Sequence, residues 1–321
     1  CLLESAGLLD LSFRSRLCVT GTDRVEFLHG QVTNNVKVLG EGDGCYAALV
    51  DHKGKIQSDL NIYRLKDELL LDIEPGMTER VIERLEKFVI AEDVELVDVA
   101  PHYGLLSVQG PKSGEAIKCS GLVSEVPTVS RRLVPFKGED FGEAYLANRS
   151  RVLGDGFDVF VPNDKLEAAW EALNRAVAAV GGSPVGWSAL EAARIEAGIP
   201  RYGVDMTEAN LAPETGIGDE AISYNKGCYI GQEVIARIRT YGRVSKSLRR
   251  LRFVDDPSGL PLEDGLLYDG DRKVGNITSA VRLPTTQEHV AMGYVRRESN
   301  EPGAELTLRM AEGECRVRVM G

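Results

Sequence analysis

The stretch Lys226-Gly227-Cys228-Tyr229-Ile230-Gly231-Gln232-Glu233 brings a thiol, an ammonium, a phenol and a carboxylate within eight residues, with two glycines between them. The deprotonated thiolate is the nucleophile and metal ligand, so the chemistry here depends on what surrounds Cys228. Val234-Ile235-Ala236-Arg237-Ile238 follows, and Gln232 and Glu233 open a short helix or strand. If it is a helix, Cys228 lies just before its N-terminus, where the macrodipole favours an anion. Lys226 on the same side would lower the thiol pKa further. Gly227 and Gly231 permit backbone conformations closed to other residues, or a close approach to a ligand. The residues alone leave two readings open: a reactive cysteine on a turn, and a free cysteine packed as a small hydrophobe.

The elements that must position this stretch intermix strands and helices. Ser12 to Thr20 reads as a strand, and Asp23 as the N-cap of a helix with Val25, Phe27, Leu28 and Val32 on its apolar face. His29 lies on that helix, in the pattern of a partly exposed or capped side chain. Tyr46 to Val50 and Lys55 to Tyr63 form a hairpin turned by Asp51-His52-Lys53-Gly54. Leu69 to Ile73, Val94 to Val99 and Leu105 to Val108 read as strands, and Met77 to Val89 as a helix. Gln109-Gly110-Pro111 punctuates the start of a further helix, with Pro111 suited to its first turn. Gly154 to Phe160 is a turn into a strand; its GxG lacks the rest of a dinucleotide-binding fingerprint. Lys165 to Val180 is an amphipathic helix stopped by Gly181-Gly182, and Ala189 to Gly198 is a second helix. After Gly242 only short strands parted by Gly, Pro and Asp remain, which predicts a small barrel. The fold class is α+β.

The 321 residues suffice for two or three domains, and 43% hydrophobic with 27% charged residues is a globular composition. A formal charge of -11 argues against a broad nucleic-acid surface and leaves room only for a local basic patch. No apolar run approaches the roughly 20 residues that cross a bilayer. The six cysteines, Cys1, Cys18, Cys45, Cys119, Cys228 and Cys315, form no CxxC pair and no Cys/His cluster. Neither a metal site nor a disulfide framework is expected, and scattered thiols fit a reducing, cytoplasmic compartment. Cys1 is no translation start, so the chain is expected to lack its original N-terminus; no signal peptide is visible in what remains.

Lys226-Gly227-Cys228-Tyr229-x-Gly231-Gln232-Glu233 closely resembles the signature of the YgfZ family, folate-binding proteins related to the T-protein (aminomethyltransferase) of the glycine cleavage system. Other segments resemble that superfamily: Val19-Thr20-Gly21-Thr22-Asp23, Gln31-Val32-Thr33-Asn34, Arg194-Ile195-Glu196-Ala197-Gly198, Gly203-x-Asp205, Pro213-Glu214 and Gly275-x-Ile277-Thr278-Ser279. Gly54 to Leu60 resembles the T-protein stretch ending in Asp-Asp-Leu, with Asp59 on the second Asp and Ser58 in place of the first. The resemblance implies that Asp59 handles the folate and its one-carbon unit, as a carboxylate that bonds a pterin amine or activates a folate nitrogen. It implies that Glu214 contacts the pterin ring, whose guanidine-like edge offers paired N–H donors to a carboxylate.

Two regions follow: a folate-binding, aminomethyltransferase-like region over residues 1–240, built from two interleaved ferredoxin-like α+β subdomains, and a C-terminal β-barrel over 245–321. The resemblance further implies a three-lobed ring around a channel that admits tetrahydrofolate. Three functions are open. A YgfZ-like protein would support iron–sulfur cluster assembly or repair, and through it tRNA modification. Its partners would be iron–sulfur assembly proteins or cluster-containing client enzymes. Cys228 would be its working thiol, Lys226 the group that lowers the thiol pKa, and Tyr229, Gln232 and Glu233 the frame around the folate. A true aminomethyltransferase would pass a one-carbon unit to tetrahydrofolate with Asp59 assisting; Ser58 departs from that pattern. A folate-regulated scaffold would keep Cys228 for structure alone. No membrane association and no stable nucleic-acid binding are expected in any of the three.

Overall fold

Apolar alternation and glycine punctuation are realised as two β-sheets with helices and one closed barrel. The structure is a computed structural model that describes residues 1–242, 244–257 and 265–321. Its strands are β1 (Gly7–Asp10), β2 (Ser15–Thr20), β3 (Gly44–Val50), β4 (Ile56–Arg64), β5 (Leu69–Ile73) and β6 (Glu95–Asp98). They continue with β7 (Tyr103–Gln109), β8 (Leu133–Gly138), β9 (Gly142–Asn148), β10 (Gly156–Pro162) and β11 (Ser183–Pro184). The helices are α1 (Arg24–Gln31), α2 (Thr78–Glu86), α3 (Ser113–Ser120), α4 (Leu166–Ala179), α5 (Trp187–Ala197), α6 (Gly218–Ala221) and α7 (Gln232–Tyr241).

Contacts divide the chain into two units. The first comprises Cys1–Leu49, Ser58–Leu190 and Ala221–Ile230. It carries one sheet in the order β11-β1-β7-β10-β9-β8, while β3-β4-β5-β2-β6 make the other. The strands of the two sheets interleave along the chain, since β1 returns to pair with β7 while β2 pairs with β5 and β6. Each sheet buries one face under helices. Leu106, Val108, Val159 and Val161 pack with Leu173 and Val177 of α4 and Ile117 of α3. Leu17, Val19, Leu60, Ile62 and Leu71 pack with Phe27 and Leu28 of α1 and Val81 and Leu85 of α2.

The second unit comprises Val50–Gln57, Glu191–Glu220 and Gly231–Gly321. Its strands β12 (Lys246–Phe253), β13 (Leu266–Asp269), β14 (Arg272–Arg282), β15 (His289–Arg296), β16 (Glu305–Met310) and β17 (Gly313–Val319) close as β12-β15-β14-β13-β16-β17. Closure removes the unpaired edges that an open sheet would expose. Leu251, Leu267, Val274, Leu308 and Val317 fill the interior. Signature segments that are far apart in sequence meet here. Arg194 of α5 donates to Asp205 and to Ser279 Oγ (3.0 Å). Ser279 donates to Asp205 Oδ1 (2.7 Å), and Tyr294 donates to the Asp205 carbonyl (2.9 Å). A buried arginine with its carboxylate and hydroxyl partners in place avoids the cost of an orphan charge.

Three local expectations are corrected. Asp23 occupies the N-cap position of α1 but makes no side-chain cap; its Oδ2 accepts the Asp93 backbone N–H (2.8 Å). Pro111 lies outside α3, which starts at Ser113 after Lys112. His29 is buried, at 5% exposure, where a partly exposed side chain was expected. Strands β8 and β9, absent from the sequence reading, cover the edge of the first sheet beside β10. Among the described residues no helix is long and apolar enough to cross a membrane.

Candidate functional site

The central carboxylate comes from β4, whose hairpin with β3 is closed by its own turn. Asp51 Oδ1 accepts the backbone N–H of Lys53 and of Lys55, both at 2.8 Å, which fixes the turn that Gly54 completes at φ +73°. Along β4, alternate residues share a face. Ser58 is fully buried, and Asp59 and Asn61 point to the opposite face. Asp59 Oδ2 accepts the Tyr46 hydroxyl at 2.8 Å. Asp59 Oδ1 is sealed from solvent with no hydrogen-bond partner among the described residues. A buried acceptor without a donor is costly and is the kind of group a ligand satisfies. Burial foremost, with the Glu74 charge next, pushes the Asp59 carboxyl up to about 6.

Around it lies a dense set of paired charges in the same unit. Arg14 donates to Asp72 (2.7 Å) and to Glu74 (2.6 Å). Arg151 donates to Asp72 (2.8 Å) and Asp158 (2.6 Å), and Ser107 completes Asp158 (2.7 Å). Asn61 donates to Asp72 and accepts from Arg131 Nε (3.2 Å), whose guanidinium lies 5.3 Å from the Tyr46 ring. The sequence reading missed Tyr46 and Glu74. A tyrosine on a strand and a glutamate just past the end of β5 carry no local signal of this role; only the β3–β4 register brings Tyr46 to Asp59.

The Lys226–Ile230 part of the signature belongs to the first unit. Lys226 Nζ donates to the carbonyls of His29 (2.5 Å), Val32 (2.7 Å) and Asn34 (2.9 Å). All three ammonium protons therefore go to the C-terminal end of α1 and the turn after it, where a cation is favoured. None of these bonds reaches the Cys228 thiol, the target that the residue spacing suggested. Burial pulls the Lys226 ammonium down to about 8. The ammonium also lies 4.8 Å from the ring centre of Tyr229, which is buried at 8% exposure. Cys228 is an exposed free thiol.

His29 completes this corner, and the sequence reading gave it no function. A Cβ on Gly227 would lie 3.6 Å from His29 Nε2, so the Gly227 backbone passes close to that nitrogen. His29 Nδ1 is buried without a partner among the described residues. Burial first, then the Lys226 charge, pushes its pKa down to about 4, which keeps the imidazole neutral. Cys45, next to Tyr46, is pushed up to about 12 by burial, against the opposing pull of Arg131 and Lys226. Cys228, like Cys1 and Cys119 in this unit, has the access that reactivity requires, and Cys45 does not.

Gln232, Glu233 and Glu214 belong to the second unit. Gln232 and Glu233 form the first turn of α7, whose N-cap is Gly231 at φ +83°. A Cβ there would meet the Asp51 carbonyl at 2.4 Å, so the position requires glycine twice over. Glu214 is 4% exposed at the end of a short 3-10 turn, Ala212–Glu214, where its Oε2 accepts the Leu211 N–H at 3.0 Å. Its charge also helps push the Tyr294 hydroxyl upward, behind burial itself. Asp59, Lys226, Cys228 and Tyr229 thus share one unit, and Glu214, Gln232 and Glu233 the other.

Comparison with known proteins bears on this arrangement. The GCVT N-terminal domain family matches residues 2–226, and the glycine cleavage T-protein C-terminal barrel domain family matches residues 246–321. A putative chloroplastic transferase of Arabidopsis thaliana is 29% identical over 94% of this chain and 68% of its own length. An aminomethyltransferase of Staphylococcus saprophyticus is 27% identical over 98% of this chain and 85% of its own. Among solved structures, the glycine cleavage system aminomethyltransferase T of Bartonella henselae superposes with a TM-score of 0.86 at 22% identity, covering 100% of this chain and 86% of that one.

Proposed function

The chain belongs to the glycine cleavage T-protein family, and from that premise we propose that it binds tetrahydrofolate and transfers a one-carbon unit of the aminomethyl type, with Asp59 as the carboxylate that handles the folate. The observation that supports this reading is the sealed, unpartnered Asp59 Oδ1. A pterin or folate N–H is the donor such an acceptor lacks. When bound, tetrahydrofolate supplies the nitrogen that takes up the one-carbon unit. At pH 7 a carboxyl group with a pKa near 6 is ionised roughly ten to one, yet basic enough to receive a proton. Tyr46 fixes the carboxylate through Oδ2 and leaves Oδ1 facing the ligand. Ser58, in place of a first carboxylate, leaves Asp59 to act alone. Glu214 is the second folate contact in this reading, with residues 1–240 as the folate-binding region and 245–321 as the barrel. Free, scattered thiols support a reducing, cytoplasmic location in this reading.

A second reading rests on one specific observation: Cys228 is exposed on the eight-residue signature that resembles the YgfZ family. There the folate-binding body supports iron–sulfur cluster assembly or repair, and through it tRNA modification. Cluster contact would use cysteines of an assembly or client protein, since one thiol cannot hold a cluster. One pair of assays separates the readings. Aminomethylated, lipoylated carrier protein with tetrahydrofolate should give methylenetetrahydrofolate with wild type and little with Asp59→Asn. If wild type gives none, and Cys228→Ala fails to restore cluster-enzyme activity to a deletion strain that wild type rescues, the second reading replaces the first.

A further inference from the structure

Arg16 of β2 is fully buried, yet only part of its guanidinium is bonded. Nη2 donates to the carbonyls of Tyr103 (2.6 Å) and Ser12 (3.0 Å), while Nε and Nη1 are buried without a partner among the described residues. Orphan donors on a buried cation are rare and expensive. Arg16 also lines a cavity of about 70 Å³, together with Glu68, Tyr103, Tyr145 and Phe160. By the volume a single water needs, this is room for on the order of five waters or one very short organic molecule. The cavity belongs wholly to the first unit and uses neither Asp59 nor the Lys226–Ile230 segment.

The lining says which molecule fits. A bare anion would satisfy Arg16 but would face the Glu68 carboxylate across the same small space. A bare cation would meet the reverse problem. One guanidinium with unused donors, one carboxylate and two tyrosine rings 6.4 Å apart balance a guest that carries both charges. Glu68 retains some exposure while Arg16 has none. The guest's carboxylate therefore goes inward and its ammonium toward the mouth. We propose that this cavity is a binding site for a short zwitterionic amino acid, distinct from the folate contacts, held by Arg16 at the carboxylate and Glu68 at the ammonium.

The test compares β-alanine with its single-charge analogues propionate and ethylamine, by saturation-transfer NMR and thermal shift on the full chain. Wild type should bind β-alanine saturably, at least tenfold more tightly than either analogue. Arg16→Met should lose β-alanine binding, and Glu68→Gln should lose the preference over propionate. Because Arg16→Met removes a buried group and could misfold, Val99→Phe serves as the second variant, filling the cavity from its wall while leaving Arg16 in place. It should abolish binding with tetrahydrofolate affinity unchanged. Equal binding of propionate and β-alanine, no saturable binding by wild type, or undiminished binding by a folded Arg16→Met or Val99→Phe protein would overturn the proposal.

Discussion

Asp59 and Asp72 lie on neighbouring strands, β4 and β5, and face the same side of one sheet, but their surroundings are opposite. Asp72 is fully buried between Arg14 and Arg151 with Asn61 beside it, and those partners hold its carboxyl well below the ordinary carboxylate range against the burial that would raise it. Asp59 receives one hydroxyl, lacks a donor at Oδ1 among the described residues and is pushed up to about 6. A carboxylate with an arginine on each oxygen joins elements together. One that is left short of donors in the same interior is available to a ligand. Charge alone does not distinguish them; the difference is the count of partners.

The sharpest way to break this contrast is to remove each carboxylate in turn. Asp72→Ala removes one of the two carboxylate partners of both Arg14 and Arg151 and should cost about 3–5 kcal/mol in urea unfolding, by analogy with broken buried pairs. Asp59→Asn should not destabilise the fold at pH 7, while lowering one-carbon transfer about 100-fold, the scale of a lost acid–base group. Equal destabilisation by the two substitutions would erase the distinction. Next in size, Lys226→Met removes three carbonyl partners and should destabilise by about 1–3 kcal/mol. Cys228→Ala, on an exposed side chain, should stay within about 0.5 kcal/mol of wild type, so any loss of function there is chemical.

The pH dependence sharpens the same comparison. The Asp59 carboxyl is raised from 3.8 to about 6, so its contribution to stability is fully present below 3.8 and lost as pH rises through 6. The Asp72 carboxyl is depressed, so its contribution is present above 3.8 and lost as the medium becomes more acid. His29 is depressed from 6.5 to about 4, so its contribution is lost as pH falls from 6.5 toward 4. Asp59→Asn should therefore gain stability relative to wild type as pH rises from about 4 to about 6, read from denaturation midpoints across that interval.

The elements of both sheets and the barrel were largely legible from sequence, because period-two alternation and glycine turns mark strands such as Leu69–Ile73 without reference to the rest of the chain. Strands β8 and β9 were not, since residues such as Pro135 and Lys137 break the apolar pattern on an edge half-open to solvent. The position of Asp59 was legible through resemblance, but its missing donor was not; that depends on which strand pairs with which. Lys226 shows the limit of reading by spacing. Its distance from Cys228 in sequence suggested a thiol partner, and the fold directs it to three carbonyls of α1 and the following turn.

The central claim, that the unpartnered Asp59 carboxylate is a folate contact, is tested most directly by calorimetric titration of tetrahydrofolate into wild type and Asp59→Asn between pH 5 and 8. Affinity for wild type should climb through an apparent pKa near 6 and level off above it, while the variant binds at least tenfold more weakly with no such step. A variant that binds as tightly as wild type along the same pH curve would contradict the account.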